Sequence, residues 1–563
     1  MKLPLNRATS CIPNTEELVL RTHARTAGSP LESLLLILAA ATVFRVVALL
    51  TFEGTNEEGP TRVGVAAAWL FHNKPFFGLT DWPEGNYILP ALALKLWNNP
   101  YWSVRILYAI VSLASVPLVY SLGQQMAGRR SGAVAAWIVA VMPYYLYIST
   151  NGGMSEGPYV ALILLALLAA VRYCVRPHAL AAIASGVSLT LATSFRFDGV
   201  MWAIPIFVSL AISGFTHRQS VLRTIQDLSL LTLSTCIFPA VLVVRWTMLY
   251  GRPFFVLDRA KANTAQFFFN GVHRSDLLYQ SYVVVFWPAS TFVLLTPIIA
   301  ALGWLGVLRL IRQRQMAALP VWTGLVFVTL WLAFAAFKHD ILAQWRYTLV
   351  LAIVLTTFSY CGAEEITARV TSLTRRRVWS AAVITAILAQ MLVTYTAFTD
   401  QGLLSRQIGM LSPVRPNQFG SKELIAWIDS LPSSGGAVLL TPHVLEQPYL
   451  AMHLQDLKRA HRIIAQSYYS SSEDTYSSNS LVSKLQQDLL LSRYLVTSAS
   501  FRELGLRDGL FKELIEPKKS GSGRYIWEGA NLRFVGKWGS NLAWEVVKAD
   551  GLSSVRRESD RRL

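Results

Sequence analysis

Long apolar runs separated by short polar connections dominate the first 400 residues of this chain, and they leave it few ways to fold. Inside lipid nothing but the chain itself can satisfy backbone N–H and C=O groups, so each such run must become a helix. The runs are Leu34–Phe52, Ile106–Leu122, Ala133–Tyr147, Pro158–Tyr173, Leu180–Thr193, Val200–Ile212, Leu228–Leu249, Tyr282–Leu308, Leu319–Phe337, Tyr347–Tyr360 and Val378–Phe398. They predict a polytopic α-helical membrane protein with about eleven spans, the shorter ones extending into flanking polar residues. Hydrophobic residues make up 53% of the chain, too many for a soluble fold of 563 residues.

A formal net charge of +18 raises the question of nucleic acid, and the placement of the bases answers it. Arg129-Arg130, Arg172/Arg176, Arg218/Arg223, Arg309/Arg312/Arg314 and Arg369/Arg375-Arg376-Arg377 fall on alternate connections between spans. That is a topology signal and not a nucleic-acid patch. By the positive-inside rule these connections and the N-terminus are cytoplasmic, and the intervening connections and everything after Asp400 are outside. Residues 1–33 are polar and basic and lack a cleavage pattern, so the first helix is expected to serve as the targeting signal. Arg45, near the end of that helix, is expected to snorkel to the interface. Cys11, Cys174, Cys236 and Cys361 form neither a disulfide framework nor a zinc pattern.

The first outer connection carries the densest chemistry. From Phe52 to Arg105 the chain places Glu53, Glu57 and Glu58 just after the first helix. A small-residue helix (Val63 to Leu70) follows, then Lys74-Pro75-Phe76-Phe77, Trp82-Pro83-Glu84-Gly85, and Arg105 at the next span. Acids where a helix has just left the bilayer are either a solvated loop or the chemical end of a membrane enzyme.

This order of features resembles the first extracytoplasmic loop of the GT-C glycosyltransferases, multi-spanning enzymes whose donors are sugars on polyprenyl phosphate. The superfamily includes protein O-mannosyltransferases, the aminoarabinose transferase of lipid A and oligosaccharyltransferases. The resemblance covers residues 34–400, and it rests on feature order, with Asn56-Glu57-Glu58 standing where the family commonly has an Asp-Glu pair. It implies a transferase, with an inverting mechanism, in a bacterial cytoplasmic membrane. Glu57 or Glu58 would be the base or a metal ligand. Glu156, in Asn151-Gly152-Gly153-Met154-Ser155-Glu156-Gly157-Pro158 after a proline-containing third span, would position the acceptor or share a metal. No metal is identified; Mg or Mn held by Glu57, Glu58 and Glu156 is the expectation if one is present.

Two basic positions also match the family's pattern. Arg196, in Ser194-Phe195-Arg196-Phe197-Asp198-Gly199, and Arg346-Tyr347 would meet the donor's phosphate, for which the planar guanidinium fork is suited. Asp198 either joins that substrate site or pairs locally with Arg196, and Trp345 and Tyr347 are equally readable as interfacial anchors. The outer segment Tyr250–Gln280, with Arg252, Asp258, Arg259, Lys261 and Phe267-Phe268-Phe269, is either a lid over the donor or an amphipathic piece on the bilayer.

After Asp400 the composition becomes that of a soluble domain, residues 401–563. Ser421 to Leu431 reads as an amphipathic helix. Ala437–Thr441, Arg462–Gln466, Tyr494–Ser498, Tyr525–Trp527, Leu532–Val535 and Trp544–Lys548 read as strands of an extracytoplasmic α/β domain. The expected partners are the lipid donor, the bilayer and a glycan, glycolipid or protein acceptor. A transporter or flippase is the competing class, with Arg45, Glu156, Arg196, Asp198 and Arg245 as an ion path at the midplane. It is disfavoured because the acids sit at span ends and paired broken helices are absent from the pattern.

Overall fold

The computed structural model describes residues 30–51, 58–72, 82–258, 277–341 and 343–368. In the C-terminal part it describes 421–432, 436–440, 463–465, 491–498, 518–519, 525–527, 530–539 and 541–547, and single positions 261, 381, 384, 385, 388 and 489 lie between. The first part is helical throughout. In chain order the helices are α1 (Pro30–Thr51), α2 (Glu58–His72), α3 (Gly85–Leu96), α4 (Pro100–Leu113), α5 (Ser115–Ala127), α6 (Arg129–Val141), α7 (Pro143–Thr150) and α8 (Glu156–Val175). There follow α9 (Ala179–Thr193), a 3-10 turn (Phe197–Trp202), α10 (Ala203–Thr216), α11 (Val221–Tyr250), α12 (Leu277–Leu295), α13 (Pro297–Arg312), α14 (Leu319–Phe337) and α15 (Trp345–Ala368).

Seven helical stretches among the described residues are long and apolar enough to cross a bilayer, and α6 with α7 makes an eighth, bent by 57°. The bend falls at Met142-Pro143, where a proline has no N–H to continue the ladder. Leu34–Leu50 and Ala179–Thr193 are shorter apolar helices. The membrane architecture therefore matches the expectation, and seven or eight of the expected spans of about eleven stand among the described residues, with the two shorter apolar helices besides. The span expected over Val378–Phe398 lies almost wholly outside the described residues.

Local chemistry sets several helix ends. Asn99 caps α4 by accepting from the Trp102 N–H at 3.0 Å, with Pro100 opening the helix. Pro239 interrupts the ladder of α11, and Thr190 of α9 repairs the break. Its hydroxyl donates to the Thr235 carbonyl at 2.7 Å and accepts from the Phe238 N–H at 3.2 Å. In hydrocarbon such repair from a neighbouring helix is what makes an interior proline tolerable.

Arg45 does not snorkel. It is buried and donates to the Ser112 hydroxyl at 2.9 Å and the Ala41 carbonyl at 3.2 Å, so it joins α1 to α4.

The C-terminal part holds α16 (Ser421–Ser430) and a seven-stranded sheet: β1 (Ala437–Leu440), β2 (Ile463–Ala465), β3 (Ser492–Ser498), β4 (Lys518–Lys519), β5 (Tyr525–Trp527), β6 (Ala530–Trp538) and β7 (Asn541–Val547). The order is β2-β1-β3-β7-β6-β5-β4. β1 runs parallel to β2 and β3, and β7, β6, β5 and β4 continue antiparallel. Leu424, Ile425 and Ile428 of α16 pack on Val438, Leu440, Val496 and Ala543, as the amphipathic pattern of the helix predicts.

Candidate functional site

The site begins at a glycine turn. Gly153 adopts φ +85°, a conformation that side chains with a Cβ rarely take, and this turns the chain from α7 into α8. Glu156 is the first residue of α8, so its carboxylate stands at the positive end of the helix dipole while its side chain is only 1% exposed.

Its counterion comes from the turn after α9. Arg196 Nη1 donates to Glu156 Oε1 at 3.1 Å, while Nε and Nη2 reach Asp198 Oδ1 and Oδ2 at 3.0 and 3.3 Å. The guanidinium is 8% exposed and flanked by rings: Tyr347 lies 4.3 Å and Tyr159 5.1 Å from its carbon. Burial works against its charge, but Asp198 and then Glu156 outweigh that effect and raise its pKa above the ordinary value. The Arg346 guanidinium carbon lies 5.4 Å from the centroid of the same Tyr347 ring. Tyr144 is within electrostatic reach of Glu156, Arg346 and Arg196. Five residues singled out from the sequence, Glu156, Arg196, Asp198, Arg346 and Tyr347, thus meet at one place.

The connection after α1 meets the Gly152-Gly153 turn through its backbone. A Cβ on Gly59 would overlap the Gly152 carbonyl, and one on Gly153 would stand 2.6 Å from the Gly59 carbonyl. Only glycines let the two loops approach so closely. Arg62, one turn further along α2 and buried, donates to the Gly153 carbonyl at 3.0 Å and lies 5.4 Å from the Trp82 ring. Downstream, the Gly85 N–H donates to the Ser194 carbonyl at 2.7 Å, and Asn86 Nδ2 donates to the Phe195 carbonyl at 2.8 Å. The same connection therefore braces both the Glu156 turn and the Arg196 turn.

Glu57 lies outside the described residues. Glu58 opens α2 and its backbone adjoins Gly59; its side chain also lies outside the description. Arg252, exposed just past the end of α11, makes no contact with the Glu156–Arg196 cluster among the described residues. Lys261, of the same Tyr250–Gln280 segment, pairs with Asp340 at 3.4 Å.

Among the described residues no three His, Cys, Asp or Glu side chains form a metal-binding group. Both described acids of the cluster bond to Arg196, so these residues alone do not fit a divalent cation; one would also need Glu57 and Glu58. Sequence reasoning overlooked Tyr144, Tyr159, Tyr108, Arg62 and Asn86. The available signal was weak: Tyr159 lies three residues after Glu156, on the same helical face.

Buried acids and a guanidinium thus stand at the loop-facing ends of the helix bundle, where the connection after α1 docks. Residues 82–244 match the family model described as dolichyl-phosphate-mannose-protein mannosyltransferase, a stretch that includes Glu156, Arg196 and Asp198. Among solved structures the chain is similar to ArnT from Cupriavidus metallidurans bound to undecaprenyl phosphate, with a TM-score of 0.54 at 12% identity, covering 91% of this chain and 97% of that one. It is also similar to the oligosaccharyltransferase of Archaeoglobus fulgidus in complex with Zn and sulfate, with a TM-score of 0.50 at 13% identity, covering 83% and 68%. No curated protein matches it in sequence.

Proposed function

We propose that the protein transfers a sugar from a polyprenyl-phosphate donor to a hydroxyl or amine acceptor at the outer face of the membrane. The observation that carries this reading is the buried Glu156–Arg196–Asp198 cluster at the seam where the acidic first connection docks on the Asn151–Glu156 turn. The similarity to a bundle that holds undecaprenyl phosphate supports a lipid-phosphate donor. The direction of the helices that build the site supports the outer side of the membrane. α8 runs from Glu156 to the Arg172/Arg176 end and α15 from Arg346 toward the Arg369–Arg377 connection, so the site lies opposite the basic connections.

In the proposed reaction the acceptor oxygen or nitrogen attacks the anomeric carbon as the bond to the phosphate oxygen breaks, inverting that carbon. The acceptor proton passes to Glu57 or Glu58 with Glu156 assisting, and the departing electron pair stays on the lipid phosphate. With both carboxylates ionised, Glu156, Asp198 and Arg196 sum to one negative charge. The phosphate therefore needs further positive charge, and Arg346 at the same rings supplies it, sharing the phosphate with the outer N–H groups of Arg196.

The test is sugar transfer by the purified protein in nanodiscs from undecaprenyl-phosphate mannose or aminoarabinose, with native envelope membranes as acceptor. Glu156→Gln is expected to reduce the rate by about 10²–10⁴-fold. Glu57→Gln and Glu58→Gln made separately identify the base by which one matches that loss. A wild-type protein that releases no undecaprenyl phosphate, or that moves lipid only under a proton gradient, would sink the proposal.

A further inference from the structure

Against the start of α8, α4 brings up a tyrosine that the scheme above does not use. Tyr108 is fully buried, and its backbone lies against the start of α8: its carbonyl is 3.7 Å from where a Cβ on Gly157 would stand. Its hydroxyl is within electrostatic reach of Arg62 and Glu156, yet among the described residues it makes no hydrogen bond.

Arg62 bonds to the Gly153 carbonyl, and the two Glu156 oxygens accept from Arg196 and, at 3.4 Å, from Ser155. A buried phenol without a partner is unfavourable, and phenylalanine would fill the same volume without that penalty. A donor left open beside a carboxylate suits a small polar group that accepts from the phenol while its own proton faces the acid. An acceptor hydroxyl or amine about to react is such a group.

We propose that Tyr108 contacts the acceptor, its O–H donating to the nucleophilic oxygen or nitrogen and holding it beside Glu156. Arg196 and Arg346 then serve the donor phosphate, and Tyr108 serves the acceptor. The inference rests on the transferase reading, and wild-type turnover checks that reading separately.

The experiment compares wild type with Tyr108→Phe, using undecaprenyl-phosphate mannose or aminoarabinose as donor and native envelope membranes as acceptor. The amount of acceptor giving half-maximal rate is expected to rise about three- to tenfold, the range for one neutral hydrogen bond, with the donor KM unchanged. The melting temperature in detergent is expected to stay the same or rise, because the hydroxyl has no bond within the protein to lose. An unchanged acceptor requirement overturns the assignment, as does a raised donor KM, which would place the hydroxyl on the phosphate side. A clear drop in melting temperature overturns its premise by showing that the hydroxyl is bonded in the protein. Absence of wild-type transfer counts against the transferase reading itself, before Tyr108 comes into question.

Discussion

Arg196 shows how two readings of one residue can both hold. The local pairing with Asp198, two positions on, was legible in the sequence, because an Arg-x-Asp turn brings the two groups together whatever else surrounds them. The bond to Glu156 was not: forty positions separate the two, and only the packing of α9 against α8 closes that distance. With both acids buried or nearly so, removing the cation strands two negative charges in a poor solvent. Arg196→Leu is therefore expected to destabilise the protein by about 3–5 kcal/mol, and Arg196→Lys by less while still lowering transfer, because an ammonium cannot reproduce the fork to Asp198. Melting curves in detergent followed by size-exclusion chromatography would show this order; equal stability of all three proteins would contradict it.

Among the elements, connections position the chemistry more than spans do. The Phe52–Arg105 connection was singled out for its acids, and its described part contributes contacts of another kind. Gly59 and Gly153 let two loops touch, Arg62 bonds to the Gly153 carbonyl, and Gly85 and Asn86 hold the turn before Arg196. Glycine pairs of this sort carry no pattern in one sequence, since each looks like an ordinary turn residue until its opposite number is known. Gly153→Ala should strain the backbone by about 1–3 kcal/mol and push the loops apart. The expected outcome is a more than tenfold loss of transfer in a protein that still inserts and purifies as wild type; undiminished transfer would show that the docking does not matter to the reaction. The bend at Pro143 was readable as a proline in an apolar run, whereas the repair of Pro239 by Thr190 required knowing which helix lies alongside.

For the whole molecule, the alternation of basic connections makes a claim about sidedness that chemistry can check. In a cysteine-free background, Arg252→Cys should react with an impermeant maleimide added outside cells, and Arg312→Cys only after permeabilisation. Both residues are exposed, so access depends on the side of the membrane alone. The reverse pattern would move the Glu156 site to the cytoplasm and remove the outer-leaflet reading. Hydropathy and charge by themselves determined that the chain is a helical membrane protein, which connections carry the bases, and that a strand-rich part follows, because each of these depends on residues near one another in sequence. Period and composition also located α16 and most strands of the sheet. What only the tertiary structure decided is which charges meet. Glu156, Arg196, Arg346 and Tyr108 sit on four separate elements, and their association arises from helices packing side by side, a long-range fact with no local trace. The same holds for Arg45, whose place near a helix end suggested water but whose neighbour is Ser112. A span's residues fix that it crosses the bilayer; the helix packed against it fixes what each polar side chain finds there.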